Sequence, residues 1–184
     1  MRIIGGQFKG RKLRSVRGTR TRPTSDRTRE AIFNILAFQV RGAAVLDLFA
    51  GTGAFGVEAL SRGARSAVFI DISSQSISIL RENLAAIPLA SPTRVIQWDL
   101  TRNLNCLNSI PHTFDLVFMD PPYNKNLIAP SLGHLHTCQV LENGALIIVE
   151  HSHLEHVRPG PLPFEIVDQR KYGKTLVAFL NYVV

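Results

Sequence analysis

The chain of 184 residues carries a formal net charge of +7 and 45% hydrophobic residues, a composition that suits one globular domain with a buried core. Its apolar runs are strand-sized, so we predict no membrane-spanning segment, and the first residues lack the hydrophobic stretch of a secretory signal. The two isolated cysteines, Cys106 and Cys138, form no C-x-x-C pair and no disulfide framework, which is typical of a cytoplasmic protein.

The positive charge is concentrated near the amino terminus. Residues 1–30 contain ten Lys or Arg and two acids, whereas the remaining residues carry eleven bases and twelve acids. A basic segment on a near-neutral body is typical of binding to a phosphate backbone, and a solubilising terminus is the alternative. We predict that residues 1–23 form a basic arm, a hairpin of Arg2–Gly6 and Gln7–Leu13. Its expected nucleic-acid contacts are Arg2, Lys9, Arg11, Lys12, Arg14 and Arg22.

The rest of the chain, residues 24–184, reads as one α/β domain. A first helix is predicted after Pro23, where Thr24, Ser25 and Asp26 offer capping oxygens; its expected apolar face is Ile32, Phe33, Ile35 and Leu36. Strands and helices then alternate. The predicted strands are Ala43–Phe49, Ala67–Asp71, Thr93–Trp98, Asp115–Met119 and Gly144–Glu150. The predicted helices are Ala54–Ser61, Ser74–Ala86 and about residues 127–138, before a closing hairpin of Phe164–Arg170 and Thr175–Tyr182. This alternation predicts a Rossmann-like fold whose seven-stranded sheet is mostly parallel and covered on both faces.

A glycine-rich turn joins the first of these strands to the next helix. Gly51, Gly53 and Gly56 follow the spacing of a dinucleotide-binding fingerprint, which alone is a weak signal. The glycines permit a tight turn and close approach of the backbone to a ligand. Asp47 precedes them by four residues, and its carboxylate would repel a pyrophosphate but attract an ammonium and a sulfonium. S-adenosylmethionine carries both cations and is therefore the expected cofactor.

Two more carboxylates lie at strand ends, since Asp71 closes the second predicted strand and Asp99 follows the third. Asp71 is expected to accept the ribose hydroxyls of the cofactor, with helix capping as the alternative role. Asp99 is expected to bind the adenine amine, with Trp98 and Leu100 beside the ring, although aspartates are common in loops for other reasons.

The loop Asp120-Pro121-Pro122-Tyr123 follows the fourth strand and is the expected catalytic site. The two prolines make the loop rigid and leave its carbonyls as acceptors. An amine on a nucleic-acid base is a poor nucleophile because its lone pair is delocalised, and hydrogen bonds to Asp120 and a proline carbonyl would favour attack on the methyl group. Tyr123 would stack on the base. In the strand order 3-2-1-4-5, this loop and the glycine turn face one crevice.

Five of the six histidines are loosely clustered, and no Cys or carboxylate set near them completes a metal site. We expect them in loops or at the surface and predict no metal. They are His134, His136, His151, His153 and His156.

Over essentially its whole length the chain resembles the bacterial RsmD-type 16S ribosomal RNA guanine-N2 methyltransferases. The stretches that carry the resemblance are residues 2–13, 22–34, 46–53 with 58–64, and 120–123. The resemblance implies a class I S-adenosylmethionine-dependent methyltransferase that acts on one guanine of small-subunit RNA, within an assembling subunit. It assigns cofactor binding to Asp47, Gly51, Gly53 and Asp71, and catalysis to Asp120–Tyr123. Phe49 and Ile72 complete the expected cofactor contacts.

Three other functions stay open at this point. A DNA adenine-N6 methyltransferase shares Asp120–Tyr123 but would need further sequence to read a duplex. An NAD-dependent oxidoreductase would use the glycines and leave the Asp120 loop and the basic arm unexplained. A non-catalytic RNA-binding assembly factor would keep the arm while its pocket decayed, yet no pocket position is disrupted.

Overall fold

The computed structural model describes residues 1–16 and 25–184. Within these two ranges no helix combines the length and apolarity needed to cross a membrane. Arg22, one of the expected nucleic-acid contacts, lies outside the described residues, as do Pro23 and Thr24.

The helices and strands alternate as the sequence predicts, with small shifts at their ends. The helices are α1 (Asp26–Leu36), α2 (Ala54–Ser61), α3 (Ser74–Ala85) and α4 (Ile128–Thr137), with a short 3-10 helix at Ala37–Val40 and another at Asn105–Leu107. The strands are β1 (Ala44–Leu48), β2 (Ser66–Asp71), β3 (Thr93–Gln97), β4 (Phe114–Met119), β5 (Leu141–Ser152), β6 (Phe164–Tyr172) and β7 (Thr175–Tyr182).

The seven strands form one sheet in the order β3-β2-β1-β4-β5-β7-β6. The first five are parallel, and the pairs β5–β7 and β6–β7 are antiparallel. This confirms the predicted fold class and the order 3-2-1-4-5. One core cluster lies on each face of the sheet, and the cluster beneath α1, α2 and α3 contains Phe69, Phe118 and Ile148. Parallel order brings the carboxyl ends of β2, β1, β4 and β5 to one edge.

The amino-terminal basic segment, of which the structure describes residues 1–16, packs against the α/β domain through its apolar side chains. Ile3, Phe8 and Leu13 are buried in the same cluster as α1 and α2. The predicted hairpin is wrong in its extent, because an antiparallel bridge joins Arg2 to Lys12 and the backbone hydrogen bonds beside it connect residues 1 and 3 with residues 10, 11 and 13. The reason is that four residues of the intended turn donate their backbone N–H groups to α2 instead. The N–H groups of residues 4 and 5 bind the Glu58 carboxylate, and those of residues 7 and 8 bind the carbonyl and hydroxyl oxygens of Ser61.

Helix α1 begins at a serine cap, as predicted. The side chain of Ser25 accepts a hydrogen bond from the N–H of Thr28 at 3.0 Å, and Ile32 and Phe33 are buried. The inclusion of Ile35 in the apolar face is wrong, since its side chain is 39% exposed. The buried stripe contains Arg29 in its place, one turn before Phe33.

Candidate active site

Four positions form a row across the carboxyl edge of the sheet. Leu48 pairs with Ile70 on one side and with Met119 on the other, and Met119 pairs with Val149. The residues that come directly after these four paired residues are therefore also level with one another across the sheet. In the order of the strands β2, β1, β4 and β5, they are Asp71, Phe49, Asp120 and Glu150. Three of these four residues are acidic. Neighbouring strands are about 4.8 Å apart, so Asp71 and Asp120 lie on either side of the β1 turn, roughly 10 Å from each other.

The glycine turn after β1 has a left-handed backbone at three positions: Phe49 (φ 57°), Gly51 (φ 54°) and Gly53 (φ 88°). A Cβ added at Gly51 would approach only the Phe49 carbonyl oxygen, at 4.0 Å, so this position is open. A Cβ at Gly53 would lie 2.3 Å from Leu80 of α3. The positive φ and the contact with Leu80 both favour glycine at position 53, and the ligand contact that the motif predicts there stays a prediction.

Asp47 lies beneath this turn. Its side chain is 2% exposed, and Oδ2 accepts the N–H of Gly56 in the first turn of α2 at 2.8 Å. Burial raises the pKa of Asp47 to about 8, against the opposing effect of the Gly56 hydrogen bond and with a smaller upward contribution from Asp71. The carboxyl group is therefore largely protonated at neutral pH, a state that the sequence did not predict.

Asp71 ends β2 and orders the turn from the other side. Its Oδ2 accepts the N–H of Gly51 at 2.8 Å, and its Oδ1 accepts the N–H of Ser73 at 2.8 Å. Ser73, not Asp71, caps α3, so the capping alternative is wrong. Ile72 is 59% exposed beside it. A carboxylate and an exposed apolar side chain at this edge can hold a ribose and a neighbouring ring.

Asp99 and its neighbours follow β3. Asp99 accepts hydrogen bonds from the N–H and the hydroxyl of Thr101 and pairs with Arg102 at 3.1 Å. The Thr101 hydrogen bonds are the main reason why the pKa of Asp99 is lowered. Leu100 is 3% exposed and belongs to the core, whereas Trp98 is 37% exposed. Of the two side chains predicted to flank a ring, only that of Trp98 is accessible.

The predicted catalytic loop is held by β5 and β7. Pro121 is buried and Pro122 is exposed. The hydroxyl of Tyr123 donates to Oε1 of Glu150 at 2.8 Å and lies 3.2 Å from the Thr175 hydroxyl. Burial raises the pKa of Tyr123 above its ordinary value, and the charges of Glu150 and Asp120 add to this effect. The phenol therefore stays protonated and anchored, while the residue remains 39% exposed.

A cleft of about 400 Å³ opens beside this loop and is lined by Asn124, Leu154, Glu155, His156 and Arg158, among others. The lining is mixed, with apolar side chains such as Ile128 and Leu154 beside the acidic Glu155 and the basic Arg158.

The expectation that the histidines lie at the surface or in loops is wrong for His151, which is fully buried at the end of β5. Its Nδ1 is 2.8 Å from the backbone carbonyl of Glu155, a contact that serves the turn after the strand. Among residues 1–16 and 25–184 no three His, Cys, Asp or Glu side chains are grouped to hold a metal ion.

Sequence reasoning missed the residues that join the basic segment to the glycine turn. Asn83 of α3 is 2% exposed. Its Oδ1 accepts the Arg14 N–H at 2.7 Å, while its Nδ2 donates to the carbonyls of Arg14, at 3.1 Å, and Thr52, at 2.9 Å. A lone Asn in an amphipathic helix carries no motif, and its role follows only from these distant contacts.

Sequence reasoning also missed the buried Arg29, whose guanidinium lies between α1, α2 and the basic segment. Arg29 is fully buried; it donates to the Arg2 carbonyl at 2.6 Å, pairs with Asp26 at 3.0 Å, and lies 3.9 Å from Glu58. Burial lowers the pKa of Arg29, against the raising effect of Glu58 and Asp26. These contacts fix α1 over the sheet and the basic segment against it.

Five of the six predicted nucleic-acid contacts are described, and all five are exposed: Arg2, Lys9, Arg11, Lys12 and Arg14. Arg2 pairs with Asp26, Arg14 pairs with Glu82, and Arg11 donates to the Ala86 carbonyl. For the side chains of Lys9 and Lys12 the described part of the chain offers no hydrogen bond or ion pair. Within residues 1–16 and 25–184, these two ammonium groups therefore serve no internal contact.

Comparison with known proteins finds relatives along nearly the whole chain. The sequence profile of a family described as conserved hypothetical protein 95 matches residues 1–181. YlbH of Bacillus subtilis is 37% identical over 183 residues, which covers 97% of each chain. Ribosomal RNA small subunit methyltransferase D of Escherichia coli is 40% identical over 159 residues, which covers 86% of this chain and 78% of the relative. The solved structure of yhhF from Escherichia coli matches with a TM-score of 0.86 at 31% identity and covers 100% of this chain and 98% of its own.

Proposed function

The chain belongs to the conserved hypothetical protein 95 family, the RsmD-type family that its motifs resemble, and we propose that it transfers the methyl group of S-adenosylmethionine to the N2 amine of a guanine in 16S ribosomal RNA. Relatives named ribosomal RNA small subunit methyltransferase D support ribosomal RNA as the substrate. We propose the assembling small subunit as the partner and the cytoplasm as the compartment.

The observation that carries this proposal is the row of acidic positions at the carboxyl edge. Asp71 and the turn at Gly51 are joined by a hydrogen bond and form one half of the crevice. Asp120 follows β4, which is paired directly to β1. A cofactor seated on Asp71 and the turn would therefore present its methyl group toward the Asp120 loop.

The chemistry requires a polarised amine and an aligned methyl group. S-adenosylmethionine supplies a methyl group on a sulfonium, and the attacking nitrogen forms its bond to carbon as the carbon–sulfur bond breaks. Asp120 would accept a hydrogen bond from the amine and orient its lone pair for this attack. Tyr123, anchored at its hydroxyl, would present its ring face to the guanine. The proton lost by the amine would pass to Asp120 or to water.

Mass analysis of nucleosides tests the function. Small subunits from cells that lack the protein are incubated with the purified protein and S-adenosylmethionine, and their RNA is digested. We expect N2-methylguanosine to increase over a sample incubated without the protein. A parallel reaction with duplex DNA tests the duplex-specific alternative, which methylated adenine in that DNA would support, and no gain of any methylated nucleoside in either reaction would support the non-catalytic assembly factor.

The buried state of Asp47 gives a prediction for cofactor binding. The pKa of Asp47 is about 8 in the free protein, and a nearby ammonium would stabilise the carboxylate and lower that pKa. Binding at pH 7 should therefore release about one proton, and affinity should rise with pH up to roughly pH 8 and then level off. Calorimetry in buffers of different ionisation enthalpy measures the release, which Asp47→Asn should abolish. Equal heats in all buffers would mean that Asp47 serves only to cap α2.

The basic segment gives a second prediction. Truncation is a poor test, because it would remove Ile3, Phe8 and Leu13 from the core. Replacing Lys9 and Lys12 by Ala removes two exposed charges without breaking an internal contact. RNA affinity should fall, and the slope of log affinity against log salt should flatten by about 0.7 to 0.9 per lost phosphate contact. Nitrocellulose filter binding at several salt concentrations measures both.

The matched control is Arg94→Ala with Lys171→Ala, an equal loss of charge on β3 and β6 at the two edges of the sheet. This pair should leave the slope unchanged. A solubilising role of the basic segment would instead give equal slopes for both double variants.

A further inference from the structure

Glu150 is a buried carboxylate at the end of β5, 4% exposed, and it is absent from the glycine and proline motifs. We infer that Glu150 selects guanine in the proposed reaction by accepting the N1–H of the target base while Asp120 holds the N2 amine. This inference rests on the proposed function and adds the group that distinguishes guanine from other bases.

The sheet register brings the two carboxylates together. Met119 and Val149 are paired in the parallel ladder, so Asp120 and Glu150, one residue further on, are also level, at a strand spacing of about 4.8 Å. Side chains alternate along a strand. Phe118 and Ile148 point into the cluster beneath α1 to α3, and the residues two positions later face the same side. Asp120 and Glu150 therefore lie side by side on one face of the sheet.

Tyr123 links this pair of carboxylates to the proposed site of the base. Its hydroxyl donates to Oε1 of Glu150 at 2.8 Å, and its ring belongs to the loop that Asp120 begins. A carboxylate can accept about four hydrogen bonds through its two oxygens. Glu150 can thus anchor the phenol and still accept a hydrogen bond from a base that lies against the Tyr123 ring.

The pattern of donors on guanine matches two neighbouring carboxylates. Its Watson–Crick edge presents N2–H and N1–H side by side, and both are donors. Adenine presents an acceptor at N1, whose lone pair a carboxylate would repel. A site built to accept a hydrogen bond discriminates strongly against an analogue that lacks the donor, because the polar groups of the site are then left unpaired.

The test uses small subunits reconstituted with RNA that carries guanine or 2-aminopurine at the nucleotide methylated by the wild-type protein. 2-Aminopurine keeps the exocyclic amine but has an acceptor at N1. The wild type should prefer guanine by about tenfold or more in kcat/KM. In Glu150→Gln the preference should shrink by about tenfold, because the amide N–H of Gln can donate to the N1 acceptor. 2-Aminopurine also lacks the 6-oxo group, so the change in preference between variant and wild type is the quantity that reports on Glu150.

Tyr123→Phe separates base selection from support of the loop. It removes the anchor and keeps the Glu150 carboxylate, so both rates should fall while the preference for guanine is retained. Binding of S-adenosylhomocysteine shows that each variant is folded. An unchanged preference in folded Glu150→Gln, or no preference in the wild type, would overturn the inference while leaving the proposed function standing. If the wild type methylates neither RNA, the proposed function itself fails.

Discussion

Replacing Asp120 by Ala should lower the rate of methyl transfer by about 100-fold or more while cofactor and RNA binding stay nearly unchanged. The reason is that in the proposed mechanism Asp120 would contact the amine as it reacts, whereas the cofactor would be held by Asp71 and the turn at Gly51, which a hydrogen bond joins. Single-turnover assays at saturating cofactor and RNA measure the chemical step directly. Calorimetry with S-adenosylhomocysteine measures the cofactor site.

Asp168→Ala is the matched control for this experiment. It removes an aspartate from β6, where the carboxylate pairs with Arg170 at 2.8 Å, far along the sheet from the crevice. Its rate should equal that of the wild type. If Asp120→Ala instead weakens cofactor binding and keeps the rate at saturation, Asp120 would be a cofactor ligand and the amine would need another acceptor.

Much of the fold could be predicted because its signals are local. Continuous apolar strands separated by helices with short turns give the order of elements, and helix α2 was predicted with both of its ends correct. Asp71 and Asp120 could be proposed as site residues because Asp71 ends a strand and Asp120 directly follows one. Parallel order then brings their positions to one edge without further information.

The functions of single side chains were harder to predict because they depend on contacts between distant segments. Gly53 fits a ligand-binding motif, yet its Cβ direction is filled by Leu80, 27 residues away in the sequence. Asp47 was expected to face a cation, but the depth of its burial and its bond to Gly56 depend on how α2 packs on β1. Ile35 and Leu36 are adjacent in the sequence and both apolar. Only the way in which α1 packs on the sheet decides that Leu36 is buried and Ile35 is exposed.

The charge of the basic segment was equally insufficient to predict the contacts of its individual side chains. The ten Lys and Arg of residues 1–30 predict an interaction with phosphates, but the same stretch contributes the apolar side chains of Ile3, Phe8 and Leu13 to the core. The side chain of Asn83 forms hydrogen bonds with both the Arg14 backbone and the Thr52 carbonyl. The backbone of the basic segment is therefore joined to the glycine turn through one buried amide side chain.

Replacing Asp71 by Ala should weaken binding of S-adenosylmethionine by about 10- to 100-fold, or ~1.4 to 2.7 kcal/mol. The substitution removes the proposed acceptors of the ribose hydroxyls and also frees the Gly51 N–H, which Asp71 holds at 2.8 Å. Titration calorimetry measures the affinity. Asp99→Ala is the comparison, and its effect should be smaller because Asp99 is tied to Thr101 and Arg102 at the surface. If folded Asp71→Ala and the wild type bind the cofactor with equal affinity, the ribose does not bind at the end of β2. The cofactor would then have to lie in a different orientation at the carboxyl edge of the sheet.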